Sequence, residues 1–156
     1  MNHSKFMREA IRLSRLHMRR DDGGPFGAII TRANKIVGRG WNRVTSANDP
    51  TAHAEVSAIR DACQKLKTFH LEDCAIYINC EPCPMCLAAI YWTRLDKIFY
   101  ANTRKDAAQI QFDDDLIYRE ISLPISRRKI SMKQLPRPEA LKVFAEWQSK
   151  VDKVRY

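Results

Sequence analysis

Two short stretches hold residues whose types and spacing suit metal-assisted hydrolysis. Cys83 and Cys86 are separated by two residues, the interval at which two thiolates grip one metal ion. They lie in Cys80-Glu81-Pro82-Cys83-Pro84-Met85-Cys86, where Pro84 suits the first position of a helix. Thiolates at a helix N-terminus are favoured by the exposed N–H groups and the positive end of the dipole. Further upstream, His53-Ala54-Glu55 follows Asp49-Pro50-Thr51, a cap-then-helix start that puts His53 in a first helical turn. Two helix starts facing each other would bring together His53, Cys83 and Cys86. A zinc ion with three protein ligands keeps its fourth position for water. Glu55 is then placed to touch that water and move its proton, a role that wants a carboxylate with a pKa raised by enclosure.

The elements around these stretches read as follows. Residues ~4–20 form a helix with Phe6, Ala10, Leu13 and His17 on one side and Lys5, Arg8, Arg12, Arg15 and Arg19 as a basic stripe on another. Asp21-Asp22-Gly23-Gly24-Pro25 makes a turn. Phe26–Thr31 and Ile36–Val44 read as a hairpin, with Asn42 near its end. Thr51 to about Leu66 is a second helix. Ala75–Asn79 is uniformly apolar, as in a strand covered on both faces. Pro84 to about Trp92 is a third helix and Asp96–Tyr100 a strand, giving a strand–helix–strand unit. Leu116–Ile121 is a short helix, Ile130–Leu135 a candidate edge strand, and Pro136 to about Val151 a last helix. The alternation predicts an α/β protein: a three-layer α/β/α arrangement around a central, mixed, five-stranded sheet with helices on both faces. Ligands in such folds bind near strand carboxyl ends and helix starts.

Other readings of the cysteines are weaker. A structural zinc site wants a fourth Cys or His nearby, and Cys80 more naturally lies on the incoming strand. A thioredoxin-like redox pair has no use for a His-x-Glu upstream. Cys63, Cys74 and Cys80 read as small core residues. His17 reads as a packed histidine, and Phe112-Asp113-Asp114-Asp115 as a solvated loop or helix cap.

The chain has 156 residues, consistent with one domain, and a net charge of +9. That charge makes a polyanion partner worth weighing against a merely soluble basic surface. The N-terminus offers no secretory h-region, and no apolar run approaches the ~18 residues of a membrane span. Five cysteines with two in a metal motif suit a reducing, cytoplasmic setting.

His-x-Glu followed by Pro-Cys-x-x-Cys is the pattern of zinc nucleobase deaminases. Across nearly its whole length the chain resembles the bacterial guanine deaminases of the cytidine-deaminase-like superfamily. Gly23-Gly24-Pro25-Phe26-Gly27-Ala28, Asn48-Asp49-Pro50-Thr51-Ala52-His53-Ala54-Glu55-Val56, the Cys80–Cys86 run and Ala89-Ile90-Tyr91-Trp92 carry the match. Phe112-Asp113-Asp114, Ile117-Tyr118 and Tyr156 extend it. The resemblance implies hydrolysis of guanine to xanthine and ammonia in purine catabolism. It implies zinc on His53, Cys83 and Cys86, and proton transfer by Glu55. It also implies that Asn42 and the Ala54 backbone hydrogen-bond the purine, that Phe26 and Trp92 pack around it, and that Asp114 binds the base and assists departure of the amine. Tyr156 would close the pocket. The family is further similar in forming homodimers that exchange C-terminal segments, here about residues 130–156, so that Tyr156 would come from a partner chain, and Asp114 too where the exchange begins before it. A tRNA adenosine deaminase shares the zinc motif, and the +9 charge favours it; Trp92, Phe112-Asp113-Asp114 and the aromatic C-terminus favour guanine. A non-enzymatic RNA-binding module with structural zinc would have no use for Glu55.

Overall fold

A computed structural model describes residues 2–155. The chain divides into two units, Met1–Asp115 and Leu116–Tyr156.

The first unit is built on strand β3, Cys74–Cys80, whose seven positions are all buried except Ala75. Its apolar run therefore needs cover on both faces, and gets it. β1 (Gly27–Arg32) lies antiparallel on one side of β3, and β4 (Lys97–Asn102) lies parallel on the other. β2 (Lys35–Trp41) completes the hairpin with β1, giving the order β2-β1-β3-β4. The sheet is mixed, as expected, but has four strands rather than five.

Side-chain alternation sorts the two faces. On one, Ile29 and Tyr77 pack with Phe6 and Leu13 of helix α1, His3–Met18. On the other, Ala28, Ile30, Ile76 and Ile78 meet α3 (Ala54–Leu66) and Ile90 of α4 (Pro84–Trp92). This is the three-layer arrangement predicted. α3 approaches β2 closely because small residues face each other. Ala54, Ala58 and Ala62 recur every fourth position on the helix, opposite Gly38 and Gly40 of the strand. A Cβ at Gly40 would lie 2.1 Å from the Ala54 carbonyl oxygen, and one at Gly38 would lie 2.6 Å from that of Ala58.

Three boundaries differ from the sequence reading. β2 stops at Trp41, and Val44–Ala47 forms a short helix, α2, closed by Asn48 in the left-handed region that Asn tolerates. α3 begins at Ala54, so His53 is its N-cap in extended conformation rather than a residue of its first turn. Arg104–Gln109 forms α5, closed at its start by a reciprocal Thr103–Asp106 capping box.

The second unit contains most of α6 (Asp115–Ser122), a 3-10 turn at Ile125–Arg127 and α7 (Pro138–Ser149). The candidate edge strand at Ile130–Leu135 is irregular instead. No strand exists among the described residues of this unit for it to pair with, and an isolated strand leaves its backbone groups to water. None of the unit's described residues is buried. No helix among the described residues is long and apolar enough to cross a membrane.

Candidate metal centre and active site

Two loops deliver the metal-binding side chains. The first is a tight turn. Asp49 Oδ1 accepts from Thr51 N at 2.8 Å and from Thr51 Oγ1 at 2.7 Å, and Ala52 N donates to Asp49 O at 3.1 Å. These bonds hold the Asp49 carboxyl below its usual range. Arg43 N donates to Ala52 O at 2.9 Å and ties the turn to the chain just beyond β2. His53 is thus fixed before α3 begins. The second loop leaves β3 at Cys80. Glu81 N donates to Asn102 O at 2.8 Å, and Glu81 Oε2 accepts from Arg104 N at 3.0 Å. Cys83 is the N-cap of α4 and Pro84 its first residue, as the motif predicts.

The three ligand atoms converge within 4.8 Å of one another. His53 Nδ1 lies 3.6 Å from Cys83 Sγ and 3.4 Å from Cys86 Sγ. A tetrahedral zinc ion, with Zn–S of ~2.3 Å and Zn–N of ~2.05 Å, holds its N and S ligands about 3.5 Å apart. The donor set and its spacing therefore fit zinc. The two thiols differ in acidity. The hydrogen bond from Cys86 holds the Cys83 thiol down at about 4, against the opposing effect of burial and with help from His53. Cys86 is pushed up by that same bond to Cys83 and by burial. The Cys83 thiolate in turn raises the pKa of His53 against the effect of burial. A dication removes this competition by accepting both sulfurs as thiolates. Among the described residues this is the one such group of three or more potential ligands.

Glu55 is buried beside the cluster, at 6% exposure. Burial raises its pKa most, the Cys83 thiolate raises it further, and its own backbone N–H, His53 and Cys86 act in the opposite direction. A buried carboxylate two residues from a ligand is an expensive feature that packing alone does not call for. Ala54, as first residue of α3, has an N–H with no intrahelical partner.

Asn42 is also buried. Its Oδ1 accepts from Gly24 N at 3.0 Å and from Val44 N at 3.2 Å, which leaves its amide N–H groups as the free polar end. Phe26 meets Phe112 edge-on, with centroids 4.9 Å apart and planes at 89°. Asp114, 17% exposed at its side chain, lies 3.9 Å from the Arg104 guanidinium. Burial raises the Asp114 carboxyl, Arg104 lowers it, and the Cys83 thiolate raises it again.

One described residue expected at the site, Trp92, is not gathered there within this chain. Trp92 is the last residue of α4, about 13 Å of helix from the cap at Cys83, and is 69% exposed. Packing of Trp92 around a ligand at the metal cluster is therefore not seen within this chain. Tyr156 lies outside the described residues. Sequence reasoning in turn missed Arg104, for which no pattern speaks, and Asn79. The signal for Asn79 was visible: one amide in an otherwise apolar strand.

Comparison with known proteins agrees with the metal centre. Residues 1–102 match the family model of the cytidine and deoxycytidylate deaminase zinc-binding region. The chain belongs to this family of zinc-dependent deaminases. It is 47% identical over 156 residues to guanine deaminase of Bacillus subtilis, covering 100% of both chains. The X-ray structure of guanine deaminase from Bacillus subtilis superposes with a TM-score of 0.97, covering 100% of this chain and 99% of that one. A tRNA-specific adenosine deaminase of Aquifex aeolicus is 34% identical over 128 residues, 81% of this chain and 82% of that protein.

Proposed function

We propose that this chain hydrolyses guanine to xanthine and ammonia. The buried Glu55 beside the His53–Cys83–Cys86 cluster supports the reaction type. The observation that carries the choice of base is the end-to-end similarity to a guanine deaminase, which includes the C-terminal third that the family model leaves out.

Zinc held by the three ligands supplies a water acidic enough to act as a nucleophile near neutral pH. With zinc bound, Glu55 would take a proton from that water and give it to a ring nitrogen of the base, while the water oxygen would bond to the carbon bearing the amine. Glu55 then relays the second proton to the departing amine, which leaves as ammonia. Asn42 presents its amide N–H groups, and Ala54 its backbone N–H, to acceptors on the purine edge. Phe26 stacks on the ring. Asp114 accepts from the base's own N–H groups and disfavours a phosphorylated substrate. A flat, neutral base needs no more than this aromatic wall and a few polar groups.

The 156 residues act as one deaminase domain in a homodimer that exchanges residues from about 130 to 156, with Tyr156 closing the pocket. The reading is supported by exposed apolar side chains on α7, among them Phe144 at 72% and Trp147 at 46%. Light scattering in solution tests it, and a stable monomer would contradict it.

The tRNA adenosine reading keeps one observation in its favour. Between residues 123 and 145, Arg127, Arg128, Lys129, Lys133, Arg137 and Lys142 stand against one acidic residue, Glu139. Ammonia release from guanine, guanosine, adenine, cytosine, cytidine and an anticodon-arm RNA separates the two. Guanine is the expected substrate, and turnover of the RNA alone would overturn the proposal.

A further inference from the structure

The turn that carries Phe26 is fastened from a second strand. Asn79, the penultimate residue of β3, is buried at 8% exposure. Its Oδ1 accepts from Gly27 N at 2.8 Å, and its Nδ2 donates to Pro25 O at 2.9 Å. Both polar ends of one side chain are therefore spent on the two residues that flank Phe26. Phe26's own backbone is held as well: its N–H donates to Gly24 O at 2.8 Å, and its carbonyl accepts from Asn42 N at 3.0 Å. On its far side the turn abuts α1, where a Cβ on Gly27 would lie 2.4 Å from Ala10 O. The turn cannot retreat in that direction.

A β-strand has no need of a buried amide; an apolar side chain would fill the same place without polar groups to satisfy. What Asn79 adds is a rigid link. Four residues beyond it stands Cys83. One stretch of chain thus fixes both the aromatic wall and a metal ligand, and so the distance between them. We infer that Asn79 is a positioning residue for the substrate ring: through Pro25 and Gly27 it holds Phe26 where a flat base can stack with its reacting carbon over the metal centre. The inference rests on the guanine reading above. It assigns to Asn79 no contact with the substrate.

A residue that acts through Phe26 has no further effect once Phe26 is gone. In Asn79→Ala, KM for guanine rises about tenfold, from two lost buried hydrogen bonds, while kcat falls less and zinc content is unchanged. In a Phe26→Ala background the same substitution changes KM less than about twofold. Asn79→Thr, which keeps a strand-forming shape and a hydroxyl, gives the same pattern and is read instead if the alanine variant does not fold. Guanine turnover with an unchanged KM in Asn79→Ala, or with an equal effect in both backgrounds, would overturn the inference and leave the guanine reading standing. Absence of guanine turnover by the unsubstituted chain would remove that reading and the inference with it.

Discussion

Replacing Gly40 with alanine reaches the metal centre through packing alone. The added Cβ would stand 2.1 Å from the Ala54 carbonyl oxygen and 2.3 Å from Ala58 N, where ordinary contact begins at 3.4 Å. The atoms it meets are backbone, so no side chain can swing aside. Restoring contact requires the first turn of α3 to move by ~1 Å. That turn starts directly after His53 and contains Glu55. The His53 Nδ1 to sulfur distances, now 3.4 and 3.6 Å, would open beyond what a tetrahedral ion spans. Overpacking of this kind costs about 1–3 kcal/mol. For a chain of this size that lowers Tm by roughly 3–10 °C. Displacing a ligand's support should weaken zinc binding at least ~10-fold. Calorimetry of the zinc-loaded variant and competition against a chromophoric chelator measure the two effects. Gly38→Ala is the control: its Cβ would meet Ala58 O at 2.6 Å and Ala62 Cβ at 2.7 Å, a turn farther from His53. It should lower Tm with a smaller loss of zinc affinity. A Gly40→Ala protein with unchanged Tm and a zinc affinity within about twofold would refute the claim that this helix–strand contact sets the site.

Four further predictions address the chemistry and the charge pairs. Glu55→Gln should retain zinc and lose roughly 10²–10⁴-fold in kcat, measured as ammonia release; near-normal turnover would remove the proton-transfer role. Asp114→Asn should lower kcat/KM for guanine about 100-fold at unchanged zinc content. Because burial raises the Asp114 carboxyl above its ordinary 3.8, and the carboxylate is the form that accepts from the base, kcat/KM in the unsubstituted protein should fall as pH drops through that raised value. Glu9, between Arg12 at 2.7 Å and Arg39 at 3.3 Å, is lowered from 4.5 chiefly by its bond to Arg12. Its contribution is present above 4.5 and lost as pH falls through the lowered value, so Glu9→Gln should cost about 0.5 kcal/mol at pH 7 and nothing near pH 2, by denaturant titration at each pH.

Much of the site was legible because its residues combine type with spacing. Cys83, Pro84 and Cys86 announce a ligand pair at a helix start, and α4 begins at the residue expected. Asp49 looks like a cap in the sequence, which puts His53 in a helix. Its carboxylate instead closes a turn on Thr51, and the helix waits until Ala54. The central strand was readable from its unbroken apolar run. Ile130–Leu135 has the length and apolar residues of a strand, but a strand exists only where a ladder partner does, and local sequence does not report partners. Asn79 shows in the sequence as one amide in an apolar strand, but its partners do not, because they lie more than fifty positions away.

The most direct measurement is ammonia release from guanine by the purified chain after its metal is stripped and after one equivalent of zinc is restored. Loss of turnover on stripping and recovery at one zinc per chain is the result this metal centre calls for. Turnover that persists without metal, or a loaded protein that leaves guanine untouched, would contradict it.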